Sequence, residues 1–165
     1  MTDQLKKKRQ REKEGQVFKV NLGDGYHSYG RVLPKGTYGL YDIRTKEELA
    51  IEEIIKQPVL FKVAVMRYAI TQGDFPVVGI VPVEDELKEV PNQFIHDTLA
   101  DRLKIYLTAT GEIRRSSWDE VKDLERCSAY EPENVVERLN DHFAGRSNRY
   151  VEEDKQTLER FRPKD

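Results

Sequence analysis

The chain has 165 residues, 38% of them hydrophobic and 35% charged, with 30 acidic against 28 basic side chains for a net charge of −2. That length suits one globular domain rather than two. No apolar run approaches the roughly 18 residues that a bilayer crossing needs, and the charged opening of the chain has no apolar stretch behind it to act as a signal peptide. A single cysteine, Cys127, and three histidines far apart in sequence, His27, His96 and His142, argue against an internal disulfide or a paired-cysteine metal knuckle. A reducing, cytoplasmic setting fits this cysteine usage.

Charge is unevenly spread. Residues 1–19 hold seven lysines and arginines against three carboxylates, a local charge of +4 that leaves −6 on the remainder. Between Thr2 and Gln16 the one large apolar side chain is Leu5, so residues 1–14 read as a basic flexible arm, with order beginning at Val17. Residues 17–22 alternate as a strand with Phe18, Val20 and Leu22 inward, and Gly23-Asp24-Gly25 supplies a hairpin turn. The return strand, 26–33, carries Gly30 in its interior, the mark of a bulge or a close backbone approach, and Pro34 stops it. A third strand over 38–43 follows the Lys35-Gly36 turn.

Thr45 with Glu48 three residues on predicts the start of a short helix over 45–56, with a strand ending left open. The long β-branched run 59–70 predicts the central strand, and 75–83 returns from it with Pro76 and Pro82 at strand ends or an edge. A further strand is expected over 103–108. Pro132 in a first turn, and Val135, Val136, Leu139 and Phe143 on one face, predict a helix over 132–144 that ends at Gly145. A last short helix is expected over 154–161. The expected architecture is α+β: a strongly curved, mainly antiparallel sheet, or a partial barrel, covered by the C-terminal helix. The domain spans 15–145, between the arm at 1–14 and a charged, partly helical tail at 146–165.

The common catalytic spacings are missing: the chain contains no GxSxG, HExxH, GxxxxGK[ST] or GxGxxG, and no metal or cofactor set stands out. Asp24, His27 and Tyr29 could form an acid/base cluster, but an aromatic hairpin explains them as well. His96 and His142 fit solvated faces, and Cys127 fits a small buried hydrophobe. The basic arm invites phosphate binding, yet it has no interleaved aromatics and the body is acidic, which weighs against nucleic acid. The acidic stretches, with Glu84, Asp85, Glu86 and Glu89 in one and Asp119, Glu120 and Asp123 in the other, are either solvated faces or a surface that steers a basic protein partner. Tyr26, Tyr29, Tyr38, Tyr41 and Trp118 would divide between contact anchors and core. The candidate partner contacts are therefore Tyr26, His27, Tyr29, Glu84, Asp85, Glu86 and Trp118.

The run from Gly15 to Leu33, with its Gly23-Asp24-Gly25-Tyr26-His27-Ser28-Tyr29-Gly30-Arg31 centre, resembles the opening of the immunity protein 26 family of bacterial polymorphic toxin systems. The stretch from Leu124 to Leu139, a Leu-Glu pair before a proline-started helix, is similar to that family's closing segment. The resemblance implies a non-enzymatic antidote that binds a cognate toxin domain and blocks it, with no catalytic residue to carry over. The acidic body fits a basic toxin such as a nuclease. Two other classes stay open: a nucleic-acid accessory protein using the arm, and a hydrolase using Asp24, His27 and Tyr29.

Overall fold

Two left-handed residues, Asp24 (φ 54°) and Gly25 (φ 81°), close the first hairpin, the backbone that lets a two-residue loop keep the natural twist of its strands. They join β1 (Gln16–Gly23) to β2 (Tyr26–Val32) in a computed structural model that describes residues 9–165. Gly30 lies opposite Phe18 in this pair, and a Cβ on it would stand 2.3 Å from the Phe18 ring. Of the two expectations for this glycine, the close approach is the one found. The Phe18 ring cannot easily retreat, because it stacks on Phe75 and meets Tyr38, each with ring centres 5.2 Å away.

Four further strands extend this hairpin into one sheet. A turn at Pro34–Gly36 leads to β3 (Thr37–Tyr41), then β4 (Val59–Val65), and the sheet is ordered β10-β4-β3-β2-β1-β5 with β5 (Val77–Ile80) and β10 (Ala129–Tyr130) at its edges. All its pairings are antiparallel except the short β10–β4 contact. Two expectations are corrected here. The 59–70 run is not one central strand: it ends at Val65, continues as the helical turn α2 (Tyr68–Thr71), and lies beside an edge. Nor does 75–83 return along it, since α2 and the turn at Gly73 (φ 80°) carry the chain across to β1. Pro76 and Pro82 flank β5 on that edge, where no outer ladder needs their missing donors.

The helix expected over 45–56 shrinks to α1 (Ile51–Ile54). The Thr45 backbone is bridged to His27 and its hydroxyl accepts the Glu47 N–H at 3.0 Å, while Glu48 pairs with Lys19 rather than closing a capping box. The remaining strands form a second, unanticipated sheet, β8-β7-β6-β9, from β6 (Gln93–Asp97), β7 (Arg102–Leu107), β8 (Glu112–Arg115) and β9 (Glu125–Arg126). The fold is α+β with two mostly antiparallel sheets, and neither sheet closes into a barrel. Among the described residues there are six α-helices, including α3 (Asp85–Lys88), α4 (Trp118–Val121), α5 (Pro132–Phe143) and α6 (Arg149–Glu159). None is long and apolar enough to cross a membrane. Of the expected arm, residues 1–8 lie outside the described residues. Gln10 and Glu12 are held against the body, through Thr71, Ile70 and Val77 for Gln10 and through the Tyr38 hydroxyl for Glu12.

The first sheet is covered on both faces, which explains why every residue of β3 is buried. On one face Phe18, Val20, Leu22, Leu40 and Val63 pack against α5 through Val135 and Leu139. On the other, Val17, Tyr29 and Tyr41 pack against Ile43 and Ile54 of the 43–55 crossing. The second sheet has its own core of Phe94, Leu103, Ile105, Val121 and Leu158. α6 joins the two, with Tyr150 packed on the first core and Leu158 within the third.

One charge is buried inside this framework. Arg31 on β2 has no exposed side-chain surface. Its Nε donates to the Gly15 carbonyl at 2.9 Å, its Nη2 to the Val81 and Pro82 carbonyls at 2.9 Å each, and its Nη1 to the Tyr41 hydroxyl at 3.3 Å and the Glu84 carboxylate at 3.1 Å. Burial pushes the Tyr41 hydroxyl above its ordinary range, with Arg31 acting in the opposite direction.

Arg31→Leu should cost about 3–5 kcal/mol and so lower the Tm of a chain this size by roughly 6–20 °C. Arg31→Lys, with three donors and no fork, should recover only part of that in the same melt. Gly30→Ala should cost about 1–3 kcal/mol in urea unfolding through overpacking against Phe18. Gly79→Ala should cost less, because its added methyl meets the terminal methyl of half-buried Ile51. Equal losses at the two glycines would show that the Phe18 ring yields.

Candidate functional site

The acidic stretch after β5 divides in two by function. Glu84 is turned toward the interior by Arg31 and belongs to the framework. Asp85, Glu86 and Glu89 project from the single turn of α3 or just beyond it, all three exposed. Asp85 pairs with Lys88 at 3.0 Å, whereas Glu86 and Glu89 have no ion pair among the described residues.

The hairpin residues separate in the same way. His27 and Tyr29 are buried, with His27 Nε2 and the Tyr29 hydroxyl 3.0 Å apart, and that hydroxyl also accepts the Leu49 N–H at 3.2 Å. They fasten the 43–55 crossing to the sheet, and neither side chain offers surface to a partner. Asp24 is exposed in its turn and forms no hydrogen bond to either, so the three do not assemble into an acid/base cluster.

Tyr26 is half-buried, and its ring lies beneath two cations: the Arg44 guanidinium 3.4 Å from the ring centre and the Lys46 ammonium at 4.8 Å. The His27–Thr45 bridge places both there, because Arg44 and Lys46 flank Thr45. No local sequence signal links residues so far apart. A stacked Arg–Tyr pair at a surface is preorganised, since each group already restricts the other's rotamers.

Trp118 opens α4, half-buried against the third core, with the Lys122 ammonium 5.1 Å and the Arg162 guanidinium 5.6 Å from its ring centre. The neighbouring Glu120 is internally engaged. It completes a capping box with Ser117 and pairs with Arg114 at 2.9 Å, which holds its carboxyl below the usual carboxylate range. The Ser117-to-Glu120 spacing is a helix-start signal legible in the sequence, although the strand pattern before it draws attention elsewhere.

The other two histidines each face a carboxylate. His96 pairs with Asp101 at 2.8 Å and His142 lies 3.6 Å from Asp42. Burial pushes the Cys127 thiol up, away from the thiolate that a nucleophile requires. No cluster of three or more histidine, cysteine or acidic side chains suited to a metal occurs among the described residues.

A cleft of about 680 Å³ lies between the Pro34–Gly36 turn and β4 on one side and the 86–92 segment and the β7–β8 turn on the other. Lys35 and Lys62 reach it from the first sheet, and Glu86 and Glu89 from α3. Lys35 stands in the left-handed region at φ 60°. Neither lysine was a candidate from sequence, because only the second sheet turns that edge of the first into a wall.

Comparison with curated proteins and with solved structures gives no match. The family model for Immunity protein 26 matches residues 13–104, more than half of the chain. That stretch runs from the start of β1 through the Arg31 framework, α3 and β6 into β7. The Leu124–Leu139 segment, with β9, β10 and most of α5, falls outside it. On this match, which spans the hairpin and the strands through β6, the chain belongs to the immunity protein 26 family.

Proposed function

We propose that the protein is a stoichiometric antidote, which binds the toxin domain it is paired with in the cytoplasm and blocks it without turnover. The family match over residues 13–104 carries this reading. The surface is consistent with it. Exposed Asp85, Glu86 and Glu89 offer a negative edge to a toxin with a basic groove, such as a nuclease. Tyr26 beneath Arg44, and Trp118 beside Lys122, supply large side chains with few torsions left to freeze. His27, Tyr29 and Glu84 serve binding indirectly, by holding the hairpin and the start of the acidic segment in place.

An antidote that works by occupancy needs one molecule for each toxin, whereas an enzyme that inactivated the toxin would need far fewer. Titrating the toxin domain encoded beside it with this protein should therefore abolish activity at a 1:1 ratio, with a complex of matching mass in light scattering. Complete protection at a small fraction of an equivalent would refute the binding mechanism. Asp85→Lys with Glu86→Lys should weaken binding mainly through a slower association rate, and added salt should do the same to the wild type. An unchanged association rate in that variant would remove α3 from the encounter surface.

A further inference from the structure

The cleft between the two sheets carries charges of both signs that do not neutralise one another. Lys35 and Lys62 have no carboxylate partner, and Glu86 and Glu89 have no cationic one, among the described residues. The fifth charged group, Lys88, is engaged by Asp85. The same lining includes apolar Val90, Pro91 and Leu107 beside Asn92 and Thr110. A volume of about 680 Å³ lies within the range of clefts that take ligands.

The arrangement selects its occupant. A small anion drawn by the lysines would also meet the glutamates. A nucleic acid strand would be repelled by the same glutamates and would find no aromatic ring in the lining to stack on. A peptide segment with side chains of both signs satisfies both walls, and its apolar atoms cover the floor. Lys62 is half-buried, so a carboxylate that reached it would be partly shielded from water, where an ion pair is worth more than on an open surface.

Resting on the antidote reading, we propose that this cleft seats an extended segment of the toxin bearing an acidic and a basic side chain. The acidic one meets Lys35 and Lys62, and the basic one meets Glu86 and Glu89. Lys35 lines the cleft from a left-handed backbone, a strained geometry that the Pro34–Gly36 turn maintains before any partner arrives.

The test is calorimetry of the full chain against its toxin domain at fixed ionic strength, for the wild type and for Lys35→Glu, Lys62→Glu and Glu89→Lys, with thermal melting to confirm folding. Arg115→Glu is the control, since Arg115 is exposed on β8, does not line the cleft, and changes the net charge as much as either lysine variant. Each cleft variant should weaken binding by roughly tenfold or more, and Arg115→Glu by less than about twofold. Lys35→Glu, in an exposed turn, serves if Lys62→Glu disturbs β4. A wild type that binds its toxin while the cleft variants lose no more than the control would overturn the cleft and leave the antidote reading intact. A wild type that fails to bind would overturn both. Inorganic phosphate is the second probe: NMR shifts confined to Lys35 and Lys62, with toxin affinity unaffected by Glu89→Lys, would make the cleft a small-anion site and overturn the peptide segment.

Discussion

A guanidinium with no exposed surface has to find an acceptor for each of its five N–H groups, because every one left unmade costs the desolvation of a charged donor. Arg31 finds them in three separate stretches of the chain: Gly15 before β1, Tyr41 on β3, and residues 81–84 after β5, which supply the Val81 and Pro82 carbonyls and the Glu84 carboxylate. Those stretches are parts of the first sheet or its exits, so one side chain fixes where the chain enters β1 and where it leaves β5. The acidic segment begins at that exit. Its first carboxylate is drawn inward, and the following ones are thereby held at the surface.

The same sheet is buried on both faces, and the need to cover it shapes the rest of the molecule. α5 supplies one cover and the 43–55 crossing the other. The crossing is only briefly helical because it is pinned at several points, by the His27–Thr45 bridge, by the Tyr29 hydroxyl on Leu49, and by Ile51 against Gly79. Pinning of this kind also brings Arg44 over Tyr26. The second sheet packs on α4 and α6, and its β7–β8 turn faces the first sheet across the cleft.

A binding protein is served by this division between charges consumed inside and charges left outside. Glu84 and Glu125 are engaged by Arg31 and Arg138, the latter as a two-pronged pair at 2.7 and 3.1 Å with the guanidinium 3.9 Å over Phe61. Such pairs set geometry rather than add much stability. Lys35, Lys62, Glu86 and Glu89 have no such partner and point into one concavity. The net charge of −2 conceals this pattern, since charges spent on the fold and charges available to a partner count alike in a sum.

The hairpin at Asp24-Gly25 and the proline-started helix α5 were legible in the amino-acid order, as was the mixed α+β character, because each depends on backbone and side-chain preferences within a few residues, whereas Gly30 left a bulge and a close approach open until Phe18 was placed opposite it. The family resemblance at Gly15 to Leu33 was legible for the same reason. The two-sheet division, the pairing of β5 with β1, and the burial of His27 and Tyr29 were not, since alternation along a strand does not reveal whether its second face will also be covered. Arg31 and Glu84 are 53 residues apart. The sequence by itself determined which turns and helices could form and that charge would be distributed unevenly. Only the tertiary structure decided which charges are spent on one another and which face an open cleft, because pairing depends on distances set when separate segments pack together.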